Sequence, residues 1–197
     1  MFILGLTGSL GMGKSTAAKF FAEEGVPVHD ADAVVHRLYD GEATAAIEAA
    51  FSGTTADGKV DRGKLGAHLI AHPGDFKRLE AIVHPLVQAA EKKFLAAHAD
   101  APVVVLDIPL LYETAAEARC DAVVVVSAPP DVQRARVFNR PGMTDERFES
   151  IVSRQVPDAV KRERADFIVD SGQSFDHARA QVREILRAVS TMPKRPR

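Results

Sequence analysis

Residues 8–15 read Gly8-Ser9-Leu10-Gly11-Met12-Gly13-Lys14-Ser15, a gapless G-x-x-x-x-G-K-[ST] pattern. Each residue type has a chemical use at this spacing. The glycines let backbone N–H groups close around an anion. A helix starting near Lys14 adds its positive dipole end. Lys14 can reach β- and γ-phosphates, and the Ser15 hydroxyl can ligate Mg²⁺. The apolar run Phe2–Thr7 precedes the loop and a helical pattern follows it, as a phosphate loop requires. The pattern therefore implies a bound nucleoside triphosphate. The plainer alternative is a Gly-rich strand–helix turn with a surface lysine. Nothing in the loop sets the fate of the γ-phosphate. A guanine-specific switch needs N-K-x-D and D-x-x-G. Asn139, the only asparagine, is followed by Arg140, and no D-x-x-G occurs, which argues against such a switch.

Further chemistry is placed by the runs that follow. In "VHDADAVVHRL" Asp30 and Asp32 stand just beyond a short strand. Ligands of doubly wound folds bind past the carboxyl ends of strands. An aspartate there can take the proton of an attacking hydroxyl. Either aspartate could cap the following helix; that reading is favoured for Asp30, and the base is favoured for Asp32. Asp107 ends the third expected strand and could orient Mg²⁺ or the acceptor, or be an ordinary strand-end carboxylate. Arg134, Arg136 and Arg140 cluster beside Pro141-Gly142. Guanidinium groups suit spread phosphoryl charge, and a hinge would let them close as a lid; the bland reading is a solvated basic face. Arg140 is the strongest candidate among them. His84, before Pro85, could contact substrate or be a structural histidine.

The elements that must position these groups alternate. Strands are expected at Phe2–Thr7, Val26–His29, Val103–Leu106 capped by Asp107, Ala122–Val126 and Phe167–Val169. Helices are expected at Lys14–Glu24, stopped by Gly25, and at about Ala31–Tyr39. From Gly41 to about Asp100 the pattern is helical and Ala-rich, broken by a polar turn at Ser52–Lys59, with a further helix from Asp61. Leu79, Ile82, Val83, Leu86 and Val87 form an apolar stripe through His84-Pro85. Asp131–Asn139, Thr144–Gln155 and Phe175–Val189 complete the helices, and the Pro- and Arg-rich end, Met192–Arg197, is expected to fray. Five strands alternating with helices predict a parallel α/β sheet.

Bulk properties bound the rest. The 197 residues suit one domain with room for a small inserted subdomain, and 46% hydrophobic with 26% charged residues is ordinary for a globular chain. A net charge of -2 offers no basic field for nucleic acid, so an anion site must be local. The single Cys120 excludes an intramolecular disulfide and suits a reducing compartment. The opening "MFIL" lacks a basic start, and no run approaches a membrane span. A cytoplasmic protein without membrane or nucleic-acid partners is expected.

With these residues in place the chain resembles the dephospho-CoA kinase family over nearly its whole length. The resemblance rests on "GLTGSLGMGKST", "VPVHDADAVVHRL", "DGKVDRGKLGAHL", "LEAIVHPLV", "VVVLDIPLLYE", "QRARVFNR" and "RQVPDAVKRERADFIVDSG". It implies ATP-dependent phosphorylation of the ribose 3′-hydroxyl of dephospho-CoA, the last step of coenzyme A synthesis. The fold implied is a P-loop NTPase-type three-layer α/β/α domain with a five-stranded parallel sheet. It implies a core of about 1–38, 101–128 and 156–190, a helical CoA-side subdomain of about 39–100, and a lid of about 129–155. Carried over, Gly11, Met12, Gly13, Lys14, Ser15 and Thr16 hold ATP, and Ser15 holds Mg²⁺. Asp32 is the base, and Lys14 and Arg140 steady the transferring group. Arg62, His84, Asp107, Leu110 and Leu111 join Asp32 on the acceptor side, with Glu113 in the same strand-end segment. A monomer or weak homo-oligomer is expected. Ser9-Leu10 and Met12 depart from the family's usual residues at positions where the backbone binds, and Asp170 stands where asparagine is frequent. Two rivals remain at this stage: a kinase for nucleoside monophosphates or shikimate, and an ATP-binding regulatory protein.

Overall fold

The computed structural model describes residues 1–195; Pro196 and Arg197, the end of the segment expected to fray, lie outside the described residues. The chain packs as two compact units, Met1–His29 with the chain from His98 onward, and Asp30–Ala97.

The first unit opens on β1 (Phe2–Thr7), buried at all six positions. A strand covered on both faces needs no polar alternation, and none is present. The phosphate loop leads into α1 (Lys14–Glu23), which turns Ala17, Ala18, Phe20 and Phe21 inward. Gly25, at φ +82°, closes the turn after it. β2 (Val28–Asp30) follows.

The second unit begins with α2 (Ala31–Tyr39), capped by the Asp30 carboxylate, which accepts from Ala33 N at 2.9 Å. The plainer reading of Asp30 therefore holds. α3 (Thr44–Ala50) comes next. Where a polar turn was expected, β3 (Thr55–Ala56) and β4 (Lys59–Val60) form an antiparallel hairpin. Two-residue strands are too short to show alternation. The signal lay in Asp57-Gly58, whose φ values of +50° and +76° are those of a primed turn. α4 (Arg62–Ala71) is capped by Asp61, which accepts from Lys64 N at 3.0 Å. α5 (Phe76–Ala97) runs unbroken through Pro85. Val34, Leu38, Ile47, Phe51, Leu65, Leu69 and Val83 make this unit's own core, and the stripe Leu79, Ile82, Leu86 and Val87 packs on it.

Back in the first unit come β5 (Val103–Asp107), β6 (Ala122–Ser127), α6 (Pro130–Phe138), α7 (Asp145–Val152), α8 (Asp158–Arg164), β7 (Phe167–Asp170) and α9 (Phe175–Val189). The sheet is five-stranded and parallel, in the order β2-β5-β1-β6-β7. Leu4 and Leu6 of β1, Val105 and Val124 pack against Phe20 and Phe21 of α1 and Val182, Ile185 and Val189 of α9. Each such side chain contributes about 1.5–3 kcal/mol on burial, so the sheet's centre is the firmest part of the unit. α8 was not expected. It has seven residues, and its one buried side chain is Lys161, so no apolar period marks it.

Candidate active site

Parallel pairing brings the carboxyl ends of β1, β5 and β6 to one edge, and the loop after Thr7 springs from the middle strand. The β1–β5 register sets Asp107 beside Leu6, just before the loop opens. Lys14 Nζ stands 2.5 Å from Asp107 Oδ1, and the carboxylate side chain is only 4% exposed. A short ion pair thus joins the first residue of α1 to the end of β5.

Two glycines give the loop its shape. Gly13 is the N-cap of α1 at φ +86°, and Gly11 lies at φ +78°. A Cβ on Gly11 would come within 2.4 Å of Val137 Cγ2, so both conformation and space demand glycine. No side chain caps α1. The N–H groups of Lys14 and Ser15 find no backbone acceptor among the described residues either, which leaves donors and a positive dipole end for an anion. Ser15 is exposed in this first turn, Met12 is buried, and Thr16 N bonds back to Gly13 O at 3.0 Å.

The loop is braced from three sides. Leu10 N donates to Gln155 Oε1 at 3.2 Å, and Leu10 O accepts from Gln133 Nε2 at 2.7 Å. Met12 O accepts from Ser171 Oγ at 2.7 Å. Arg136 holds Ser171 in turn, donating to Oγ at 2.9 Å and to the carbonyl at 2.6 Å. Arg136 is therefore a brace. Arg134 pairs with Asp145 at 2.6 Å and lies over the rings of Phe138 and Phe148. Arg140 is exposed, and its guanidinium has no partner among the described residues. Of the three arginines it is the one left to meet a ligand.

Beyond β5 the chain turns through residues 108–113. Thr7 Oγ donates to Pro109 O at 3.0 Å. Leu110 is 43% exposed at this edge, whereas Leu111 is fully buried. Asp170, at the end of β7, accepts from Gly172 N at 2.7 Å and from Gln173 Nε2 at 3.0 Å. Those bonds, from the Gln173 amide first and then the Gly172 N–H, hold its carboxyl below the usual range.

The remaining expected residues stand on the second unit. Asp32 is exposed in the first turn of α2 and has no partner among the described residues. Arg62, first residue of α4, donates to the His36 ring at 2.9 Å and lies 5.9 Å from the centre of the Tyr39 ring. His84 is exposed on α5, likewise without a partner among the described residues.

Sequence reasoning missed Gln155, Ser171 and the bracing role of Arg136. A glutamine or serine reveals its backbone partner only once the fold is known. Among the described residues no three His, Cys, Asp or Glu side chains converge on a point. The Ser15 hydroxyl and, against neighbouring Lys14, the Asp107 carboxylate are oxygen donors, which suit a hard cation that keeps its waters and its phosphate ligands.

A phosphate loop between the central strand and the first helix of a five-stranded parallel sheet, with a lysine and a strand-end aspartate in contact, defines a P-loop kinase fold. A shikimate kinase from Bacteroides thetaiotaomicron shares that fold, with a TM-score of 0.53 at 16% identity over 95% of this chain and 98% of that one. A solved structure from Thermus thermophilus, TT1252, superposes with a TM-score of 0.85 at 32% identity, covering 95% of this chain and 97% of that one. The family profile for dephospho-CoA kinase matches residues 2–176. The dephospho-CoA kinase of Rhodopseudomonas palustris (strain BisB18) is 57% identical over 197 residues, 99% of each chain. The chain belongs to the dephospho-CoA kinase family.

Proposed function

We infer that the chain transfers the γ-phosphoryl group of ATP to the ribose 3′-hydroxyl of dephospho-CoA, giving coenzyme A and ADP. The observation that carries this reading is the uncapped loop beside the Lys14–Asp107 pair, in a chain of this family. The backbone from Gly11 to Thr16 receives the phosphates. Lys14 exchanges its carboxylate for phosphate oxygens and balances their charge. The Ser15 hydroxyl would hold Mg²⁺ bound with the nucleotide, and the ion would supply Lewis-acid neutralisation of phosphate charge.

The 3′-oxygen attacks phosphorus as the bond to the bridging oxygen of ADP breaks. Asp32 takes the hydroxyl proton. Arg140 closes from a lid spanning about 129–155 and meets charge on the three equatorial oxygens. Arg62 and His84 on a helical CoA-side subdomain, with Asp107, Leu110 and Leu111 beyond β5, bind the acceptor. The enzyme works in the cytoplasm, as a monomer or weak homo-oligomer, where its one cysteine, buried and in no disulfide, stays reduced. Among the described residues no helix is long and apolar enough to cross a membrane.

An acceptor screen tests this reading. ATP is supplied with dephospho-CoA, nucleoside monophosphates, shikimate or no acceptor, and ADP is measured. ADP formation with dephospho-CoA alone is expected. Equal hydrolysis without any acceptor would overturn the kinase reading.

A further inference from the structure

Lys161 is fully shielded from solvent, although it is a lysine on the short helix α8. Its Nζ forms an ion pair with Glu113 Oε1 at 2.9 Å, and no well-aligned hydrogen bond satisfies it among the described residues. The same Glu113 oxygen accepts from Val156 N at 2.8 Å. Burial pushes the Glu113 carboxyl up, but the Lys161 ammonium and the Val156 N–H outweigh that and hold it below its ordinary value. The carboxylate is thus charged, and an ammonium and one N–H from a single stretch of chain hold it.

That stretch reaches three strand ends. Gln155 takes the Leu10 N–H of the phosphate loop at 3.2 Å. Val156 and Lys161 take Glu113, at the far end of the turn after β5. Asp158, the first residue of α8, accepts from Ser127 Oγ at the end of β6 at 2.7 Å. The turn 108–113 is therefore pinned twice. Thr7 and Lys14 hold its start through Pro109 O and Asp107, and Lys161 holds its end. Leu110, exposed, lies between the two pins.

An ion pair is a poor device for stability in such a place. Apolar side chains of equal volume commonly serve as well or better, because two charges must be stripped of water. What the charge pair adds is a specific partner: one Glu113 oxygen meets both Lys161 Nζ and Val156 N. We propose that Glu113 and Lys161 are positioning residues for the acceptor, holding the turn after β5 in register with the phosphate loop so that the hydroxyl of dephospho-CoA meets the γ-phosphorus. This rests on the kinase reading above. Neither residue touches the reacting atoms; both act through the turn that carries Leu110.

The double variant Glu113→Gln with Lys161→Met separates positioning from stability. Glutamine keeps an oxygen for Val156 N, and no charge is left buried alone. The thermal midpoint is expected to stay near that of the wild type, and KM for ATP within about twofold. By contrast, kcat/KM for dephospho-CoA should fall about 10- to 100-fold, with ADP formed in excess of coenzyme A. Wild-type kcat/KM for dephospho-CoA in a folded double variant would overturn the proposal, and so would an equal loss toward both substrates. Should the double variant not fold, the single variant Glu113→Asp, which keeps the charge facing Lys161 but shortens its reach, decides the matter. A raised KM for dephospho-CoA with KM for ATP unchanged supports the pinned turn, and kinetics equal to the wild type refute it. If the wild-type protein itself fails to phosphorylate dephospho-CoA, the kinase reading fails instead.

Discussion

At the scale of single residues the Lys14–Asp107 pair sets the terms. A buried carboxylate against an ammonium is costly to break unless another anion replaces it, and on the proposed reading phosphate oxygens are that anion. The remaining charge work falls to groups that the fold leaves without partners. Asp32 and Arg140 are both exposed and unengaged among the described residues, whereas Arg134 and Arg136 are occupied by Asp145, aromatic rings and Ser171. Asp32→Ala should lower kcat about 10²- to 10⁴-fold and leave the dissociation constant for ATP nearly unchanged in a binding titration. Normal turnover would remove Asp32 from the base role. Arg140→Ala should cost about 10²-fold or more in kcat, and Arg134→Ala little, because its guanidinium is already spent on Asp145 and two rings. Steady-state assays of the two variants side by side check this, and the reverse order would place the lid cation elsewhere.

At the scale of elements, the turn after β5 has a measurable electrostatic signature. Burial pushes the Tyr112 hydroxyl up to about 12, with Arg164 over its ring opposing the shift. The hydroxyl finds no hydrogen-bond partner among the described residues. In the unfolded chain it titrates near 10, so between about pH 10 and 12 the folded state holds a proton that the unfolded state has lost. Stability from this group is complete below about 10 and disappears as pH rises through that window. Tyr112→Phe should therefore be neutral or stabilising, by up to about 1–3 kcal/mol, at pH 7. It should also flatten the alkaline fall in the thermal midpoint; an unchanged alkaline limb would contradict the buried hydroxyl.

The elements differed in how far the sequence revealed them. β1, β5, β6 and α9 were legible because continuous apolar runs and a long amphipathic stripe survive any tertiary context. β3, β4 and α8 were not, since two-residue strands and a seven-residue charged helix are stabilised by what they touch. The seam of Gln155, Lys161 and Glu113 was hidden for the same reason. A lysine inside "DAVKRERAD" has the spacing of a solvated face, and only the fold turns it inward.

At the scale of the whole molecule, a net charge of -2 means that phosphate is held by local geometry alone. The nucleotide half of that geometry was written in eight consecutive residues. The acceptor half was not. The groups proposed for it are scattered from Asp32 to Leu111, and no spacing rule links them, so the acceptor's identity came from resemblance, which membership in the dephospho-CoA kinase family supports. The central claim is that this chain moves a phosphoryl group onto dephospho-CoA and does not merely bind or hydrolyse ATP. One assay addresses it most directly: purified protein, ATP, Mg²⁺ and dephospho-CoA, with ADP and coenzyme A quantified from the same sample over time. The account predicts that one coenzyme A, phosphorylated at the 3′-oxygen, appears with each ADP, and that ADP formation nearly stops when dephospho-CoA is left out. ADP accumulating at the same rate with no coenzyme A formed would contradict it.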